Sequence, residues 1–477
     1  MSFTSFNFLI FFPGVLLLFY LTPLKWRWLT LLVASFGFYI NLKPVYALLL
    51  VWVILITYLF TRLLDKKGVD SRRSTELVSG ILLILLPLLF YKYFSVINDS
   101  MIRLMSSRHL HWPLPEIKYI LPVGISFYTF MAIGYLIDVY NEEIKCERHF
   151  GRVALFISFF PLILSGPIER AGHMLPQFRE FRRIDYGHVT AGLKLMLWGY
   201  FMKLVVADRT GIYVDAVYGD IAGNNGTSLL IASVLYPFQV YADLGGYSLI
   251  AIGAARVMGF RVMDNFRRPF FATSMAEFWR RWHISLISWL TDYIYTPLSF
   301  YLRRYKLWGI VMALMLTFLI SGIWHGAALT FVIWGLMQGL FLSAEALTNK
   351  WRTKWELKYN LSKNGLYVFC CIIVTFILFA SSQVFARSMD VSAALSVFVK
   401  IFTDQARPYI DMTTITYSLT GLSLLMLKDI INEWYKQYLK SFYRFKYASH
   451  LKYAILLYIV LLMGVFNSSE SFIYFKF

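Results

Sequence analysis

Near the centre of residues 307–344 lies the run Ser321-Gly322-Ile323-Trp324-His325-Gly326. That stretch holds no Asp, Glu, Lys or Arg and exceeds the roughly 20 residues that one bilayer crossing needs. Two spans must therefore meet or break beside His325, where Gly322 and Gly326 supply backbone freedom. An imidazole in so apolar a setting is costly unless it faces an interior cavity. Burial there keeps it neutral and able to accept a proton, which is what activating a hydroxyl by general base catalysis requires. A hydrogen-bonded structural histidine is the competing reading.

Three further constellations carry polar groups among apolar ones. In Phe278-Trp279-Arg280-Arg281-Trp282-His283-Ile284-Ser285, helical spacing puts Trp279 with His283 and Glu277 with Arg281. Either this is an interfacial amphipathic helix, or His283 points inward while Arg280 or Arg281 attracts a phosphate-bearing acyl donor. Gln239 and Asp243 lie one helical turn apart in an apolar segment. A carboxylate at that depth should be paired or functional, and structural pairing is the stronger reading. Glu169 and Arg170 close the run Pro161-Leu-Ile-Leu-Ser-Gly-Pro-Ile-Glu-Arg170, where a local ion pair would lock the segment. No metal-ligand spacing, phosphate-cradling glycine loop or nucleophile elbow occurs. No Ser or Cys sits beside a candidate base, so a covalent acyl-enzyme is not supported.

The elements that must position these residues follow from composition. Of 477 residues, 58% are hydrophobic and only 15% charged, against about 25% charged in a soluble globular domain. The mean hydropathy is +0.58. Soluble, disordered, coiled-coil and disulfide-scaffold classes are excluded, and an all-α polytopic membrane protein is expected. The net charge of +19 resides in short connectors, where the positive-inside bias and anionic lipid headgroups account for it; nucleic acid is not an expected partner. Cys146, Cys370 and Cys371 form no pairing framework.

Residues 1–21 read as a retained first span, with Lys25 and Arg27 after it placing the first loop in the cytoplasm. Two spans, 28–42 and 45–61, fit before the basic loop from Arg62 through Lys66-Lys67 to Arg72-Arg73. Others are expected near 77–97, 118–138, 189–206, 229–244, 284–300, 365–385, 412–428 and 452–468, for a bundle of about 11 spans to which the stretch around His325 adds its own crossings. Residues 154–168 are interrupted by Pro161, Gly166 and Pro167 and flanked by basic connectors at 145–152 and 179–183. They are expected to enter and leave on one side, which is tolerated only where protein or a water-filled cavity surrounds the backbone. The chain reads as one membrane-embedded domain, 1–477: a motif-bearing core at about 120–345, N-terminal spans within 1–97 and C-terminal spans within 365–468.

These residues resemble the membrane-bound O-acyltransferase family, in its bacterial polysaccharide O-acetylation branch. The likeness rests on Leu121-Pro-Val-Gly-Ile-Ser-Phe-Tyr-Thr-Phe130, Phe160-Pro-Leu-Ile-Leu-Ser-Gly-Pro-Ile-Glu-Arg170, Asp243-Leu-Gly-Gly-Tyr-Ser-Leu249, Asn265-Phe-Arg-Arg-Pro-Phe270, Phe278 to Ser285 and Ser321 to Gly326, in that order. Two positions depart from the branch: Leu249 stands where Asp is usual after Gly-Tyr-Ser, and Thr291 precedes Asp292. The resemblance implies a helical bundle around a central tunnel. It implies that His325 is the essential membrane-embedded histidine, and that His283 is a second polar group binding or orienting the donor. Trp324, Arg280, Arg281, Asp243 and Gln239 are the candidate substrate-binding residues.

The expected activity is transfer of an acetyl group from a cytoplasmic thioester such as acetyl-CoA toward an exported polysaccharide such as alginate, in the bacterial inner membrane, with no bound cofactor or metal. Lacking a soluble insertion to perform the last step, the protein is expected to hand the group to a separate periplasmic acetyltransferase. The alternatives are D-alanyl transfer to teichoic acid from a carrier-protein thioester, a transporter or flippase using His325, Asp243 and His283 as a path, and a catalytically silent scaffold.

Overall fold

Every regular element is helical, and no β-strand occurs among the described residues. The computed structural model describes residues 1–41, 43–65, 71–110, 112–115, 121–180, 184–409, 411–435 and 446–466. Lys66, Lys67, Arg182 and Arg183 of the basic connectors, and the outer ends of the spans expected at 118–138 and 452–468, lie outside them. The chain forms two compact units, Met1–Leu193 with Ile250–Met263, and Lys194–Leu249 with Asp264–Phe477.

The first unit holds α1 (Phe6–Leu21), α2 (Arg27–Ile40), α3 (Pro44–Leu64), α4 (Ser71–Ser107), α5 (Ile125–Tyr140), α6 (Phe150–Ser158), α7 (Phe160–Ile163) and α8 (Ala171–Gln177). The interrupted segment behaves as its prolines dictate. α6 stops at Ser158, Phe159 breaks the path, and Pro161 falls in the first turn of α7, where a missing N–H costs least. All residues from Val153 to Glu169 are buried, so protein surrounds the irregular backbone, as it must at membrane depth where no water-filled cavity does. Gly124 adopts φ +80°, and a Cβ there would collide with the Ile163 carbonyl, so glycine is required. Glu169, expected to pair with Arg170, meets His173, Nδ1 to Oε2 at 2.8 Å, while its Oε1 accepts from the Met263 N–H at 2.5 Å.

From α9 (Tyr186–Tyr200), of which Lys194 onward belongs to the second unit, the chain runs through a π-turn, Phe201–Ala207, into α10 (Asp208–Gly219). There follow α11 (Gly226–Val257), α12 (Met275–Arg281), α13 (Ile284–Leu290), a second π-turn at Thr291–Tyr295 and α14 (Thr296–Tyr301). The remaining helices are α15 (Lys306–His325), α16 (Leu329–Lys358), α17 (Gly365–Arg387), α18 (Val391–Thr403), α19 (Met412–Trp434) and α20 (Lys446–Met463). The expected span at 284–300 is thus one helical path widened by a π-turn. The uncharged stretch divides as expected: α15 ends at His325 and α16 begins at Leu329. These two helices pack through glycine, since a Cβ on Gly322 would strike the Phe331 carbonyl and one on Gly335 the Phe318 carbonyl.

Eight helical segments among the described residues are long and apolar enough to cross a bilayer: Pro44–Leu64, Arg73–Ser107, Tyr186–Gly219, Gly226–Val257, Arg303–His325, Leu329–Lys358, Gly365–Arg387 and Met412–Trp434. The protein is an all-α, multi-pass membrane protein.

Candidate active site

The site begins with a break between two short helices. Ser274 caps α12 by accepting from the Glu277 N–H at 3.2 Å, and the Glu277 carboxylate returns to the Thr273 N–H at 2.8 Å; this reciprocal pattern fixes where the helix starts. α12 ends at Arg281, and His283 adopts φ 45°, ψ 50° before α13 begins. A left-handed conformation at a non-glycine residue stores roughly 1–3 kcal/mol and persists only where neighbours enforce it. Asn265 does so here. Its carbonyl accepts from the Ile284 N–H at 2.8 Å, and its Oδ1 from the Ser285 N–H at 3.2 Å and hydroxyl at 2.9 Å. His283 is thereby turned inward with 1% of its surface exposed, which decides against a lipid-facing amphipathic helix.

His325 arrives from the other side, on the last residue of α15. Its ring meets the edges of Trp324 and Trp334, at centroid distances of 4.6 and 4.9 Å. His283 and His325 line one cavity of about 40 Å3, above the roughly 10–15 Å3 that a single water needs. Tyr236 and Val240 of α11, Trp279 and Trp282 around the α12–α13 break, Phe331 and Trp334 of α16, and Gln383 of α17 complete most of its wall. Two histidines distant in sequence thus share a small, mostly aromatic chamber.

The other expected site residues lie elsewhere. Trp324 is buried beside His325 without lining the cavity. Arg280 is exposed on α12. Arg281 is occupied by Glu277 at 2.6 Å and Glu433 at 3.0 Å. On α11, Tyr236 and Val240 reach the cavity, whereas Gln239 and Asp243 do not. Asp243 Oδ1 is 2.6 Å from Lys203 Nζ, which also holds Asp208 Oδ1 at 2.7 Å, with all three side chains buried. The π-turn explains the triad. Residues five apart diverge by about 140° on an α-helix, but the i→i+5 bonding of a π-turn brings them to one face. Lys203, inside that turn, therefore reaches Asp208 on its own helix and Asp243 on α11.

Tyr236, Trp334 and Gln383 were not singled out from the sequence. Gln383 carried a usable signal, an amide in an otherwise apolar span. The aromatic pair carried none, because Trp and Tyr are common in any membrane bundle.

The model of the membrane-bound O-acyltransferase family matches residues 148–383, a range that includes His283, His325 and Gln383. The chain is 35% identical over 378 residues to the probable alginate O-acetylase AlgI of Pseudomonas putida, covering 77% of each protein. It is 30% identical over 397 residues to the peptidoglycan O-acetyltransferase of Helicobacter pylori, covering 77% of this chain and 72% of that protein. With the teichoic acid D-alanyltransferase of Bacillus subtilis it shares 27% identity over 261 residues, 53% of this chain and 65% of the other. A polytopic helical membrane protein with this motif order and these relatives belongs to the membrane-bound O-acyltransferase family.

Proposed function

We propose that this O-acyltransferase moves an acetyl group from a cytoplasmic thioester, acetyl-CoA, toward the hydroxyls of an exported polysaccharide such as alginate. The observation that supports this most is the convergence of His283 and His325 on one cavity. His325 takes the proton of the acceptor hydroxyl as the hydroxyl oxygen attacks the thioester carbonyl, and His283 binds and orients the donor. Holding both reactants in a chamber this small supplies proximity and excludes the water that would hydrolyse the donor. Arg280, exposed at the surface of α12, attracts the anionic donor, while Arg281 is held in ion pairs and shapes the break that carries His283. The relatives named for O-acetylation cover more of the chain than the one named for D-alanyl transfer, which favours acetyl. In this reading the protein sits in the bacterial inner membrane and passes the group to a separate extracytoplasmic acetyltransferase.

The test is the O-acetyl content of exported polysaccharide from cells carrying wild-type, His325→Ala or His283→Ala protein at matched membrane levels. His325→Ala is expected to lower it by roughly 10²–10⁴-fold, the range for loss of a general base, with polymer export continuing. Acetylation unchanged in His325→Ala would falsify the catalytic assignment.

A further inference from the structure

On the cavity wall the Trp334 indole N–H is buried without a hydrogen-bond partner among the described residues, and the Gln383 amide and Tyr236 hydroxyl line the same cavity. Gln383, Trp334 and Tyr236 are 6%, 5% and 2% exposed. Buried polar groups in native proteins are almost always paired, and leaving one unpaired costs roughly 1–3 kcal/mol. The neighbouring Gln338 amide turns away from the cavity, its Nε2 donating to the Ser382 hydroxyl at 2.6 Å. Gln383, one residue further on α17, faces the histidine cavity instead. An indole N–H can only donate, so the complement to this wall is an acceptor oxygen.

We infer that Gln383 and Trp334 form the donor site for the acyl carbonyl oxygen, an inference that rests on the acyl-transfer reading above. As the acceptor hydroxyl oxygen bonds to the carbonyl carbon, its proton passes to His325 and the carbonyl oxygen becomes an oxyanion. The Gln383 amide N–H and the Trp334 indole N–H hold that oxygen. The carbon–sulfur bond then breaks, the carbonyl re-forms, and the thiolate leaves with the proton from His325. Donors fixed in an apolar chamber act strongly on charge that develops only in the transition state. Gln383 is thus a catalytic residue in addition to the histidines.

The experiment uses cell-envelope fractions carrying their own acceptor, supplied with acetyl-CoA and scored for esterified acetyl and free CoA thiol. Gln383→Leu is expected to lower kcat by roughly 10²-fold, as loss of one oxyanion donor does, with KM for acetyl-CoA nearly unchanged. Gln383→Asn should recover part of that loss, and Trp334→Phe, which keeps the ring and removes the N–H, should lower kcat by roughly 10²-fold as well. Detergent-extracted Gln383→Leu should melt no lower than wild type, since a polar group has been removed from an apolar wall. Wild-type kcat in both Gln383→Leu and Trp334→Phe, with His325→Ala inactive, overturns the donor site and leaves acyl transfer standing. A rise in KM alone also overturns it, because that signature belongs to ground-state binding. If wild type and His325→Ala turn over acetyl-CoA equally, the acyl-transfer reading itself falls.

Discussion

The second unit contains two buried polar centres built in opposite ways. In the Lys203 centre the cation meets Asp208 at 2.7 Å and Asp243 at 2.6 Å, so each charge has its counterpart on the protein. The histidine cavity has room inside it; Gln383, Trp334 and Tyr236 line it, and the Trp334 indole N–H ends there without a partner among the described residues. A satisfied polar cluster fixes geometry, here the register of α11 against the π-turn. A cluster with space and an unmet donor is completed by a ligand. The comparison teaches that burial of a polar residue does not by itself mark function. Asp243 and Gln383 are equally out of place in an apolar span, yet only Gln383 faces the histidine cavity.

This contrast can be broken most forcefully at Lys203. Lys203→Met leaves two carboxylates facing each other without a cation, and removing one partner of a buried ion cluster costs about 3–5 kcal/mol. The expected result is loss of folded protein from the membrane, with recovery when Asp208→Asn and Asp243→Asn are added. Membrane abundance and the melting temperature of the extracted protein measure both. If Lys203→Met instead accumulates normally and loses only turnover, the two centres are not different in kind.

A smaller effect is expected at Asn265, which holds the backbone at the His283 break. Asn265→Ala removes the acceptor of the Ser285 N–H and hydroxyl and should cost about 1–3 kcal/mol. It should also lower acetyl transfer more than the matched control Ser288→Ala, whose hydroxyl bonds only the Ser285 carbonyl at 3.0 Å. Equal turnover in the two variants would mean that the left-handed turn at His283 does not depend on Asn265.

The smallest effect lies in the first unit. The hydrogen bond to Glu169, and secondarily its charge, raise the pKa of His173 above the usual histidine value. The favourable contribution of this pair is therefore complete below about pH 6.5 and fades as pH rises through the higher folded value. Because the imidazole is about half exposed, the contribution is small. His173→Gln should narrow the gap to wild type in melting temperature between pH 6 and pH 8.5. A gap that widens with pH would contradict the sign of the coupling.

Much of the architecture could be read before folding was considered. The excess of apolar over charged residues dictates a membrane bundle, because only helices satisfy their own backbone in lipid. The proline and glycine interruptions at 161–167 announced a broken, protein-buried segment, and the uncharged stretch around His325 divided where its glycines allowed. His283 and His325 stood out because imidazoles are rare and costly in such surroundings. By contrast, Arg281, Asp243 and Gln239 were equally conspicuous as candidate substrate-binding residues, and composition carried nothing to separate them from the cavity wall.

What the sequence determined by itself was therefore the class of molecule, the approximate spans and the residues whose presence needs a reason. Only the tertiary structure decided which reason applies. Asp243 meets a lysine because a π-turn rotates Lys203 toward it, and His283 shares a cavity with His325 because Asn265 holds a left-handed break open. Gln383 reaches the cavity because α17 packs that face, and not the face of Ser382, against the histidines. Helical periodicity assigns residues to faces, but which face meets which neighbour is set by packing between segments far apart in the chain.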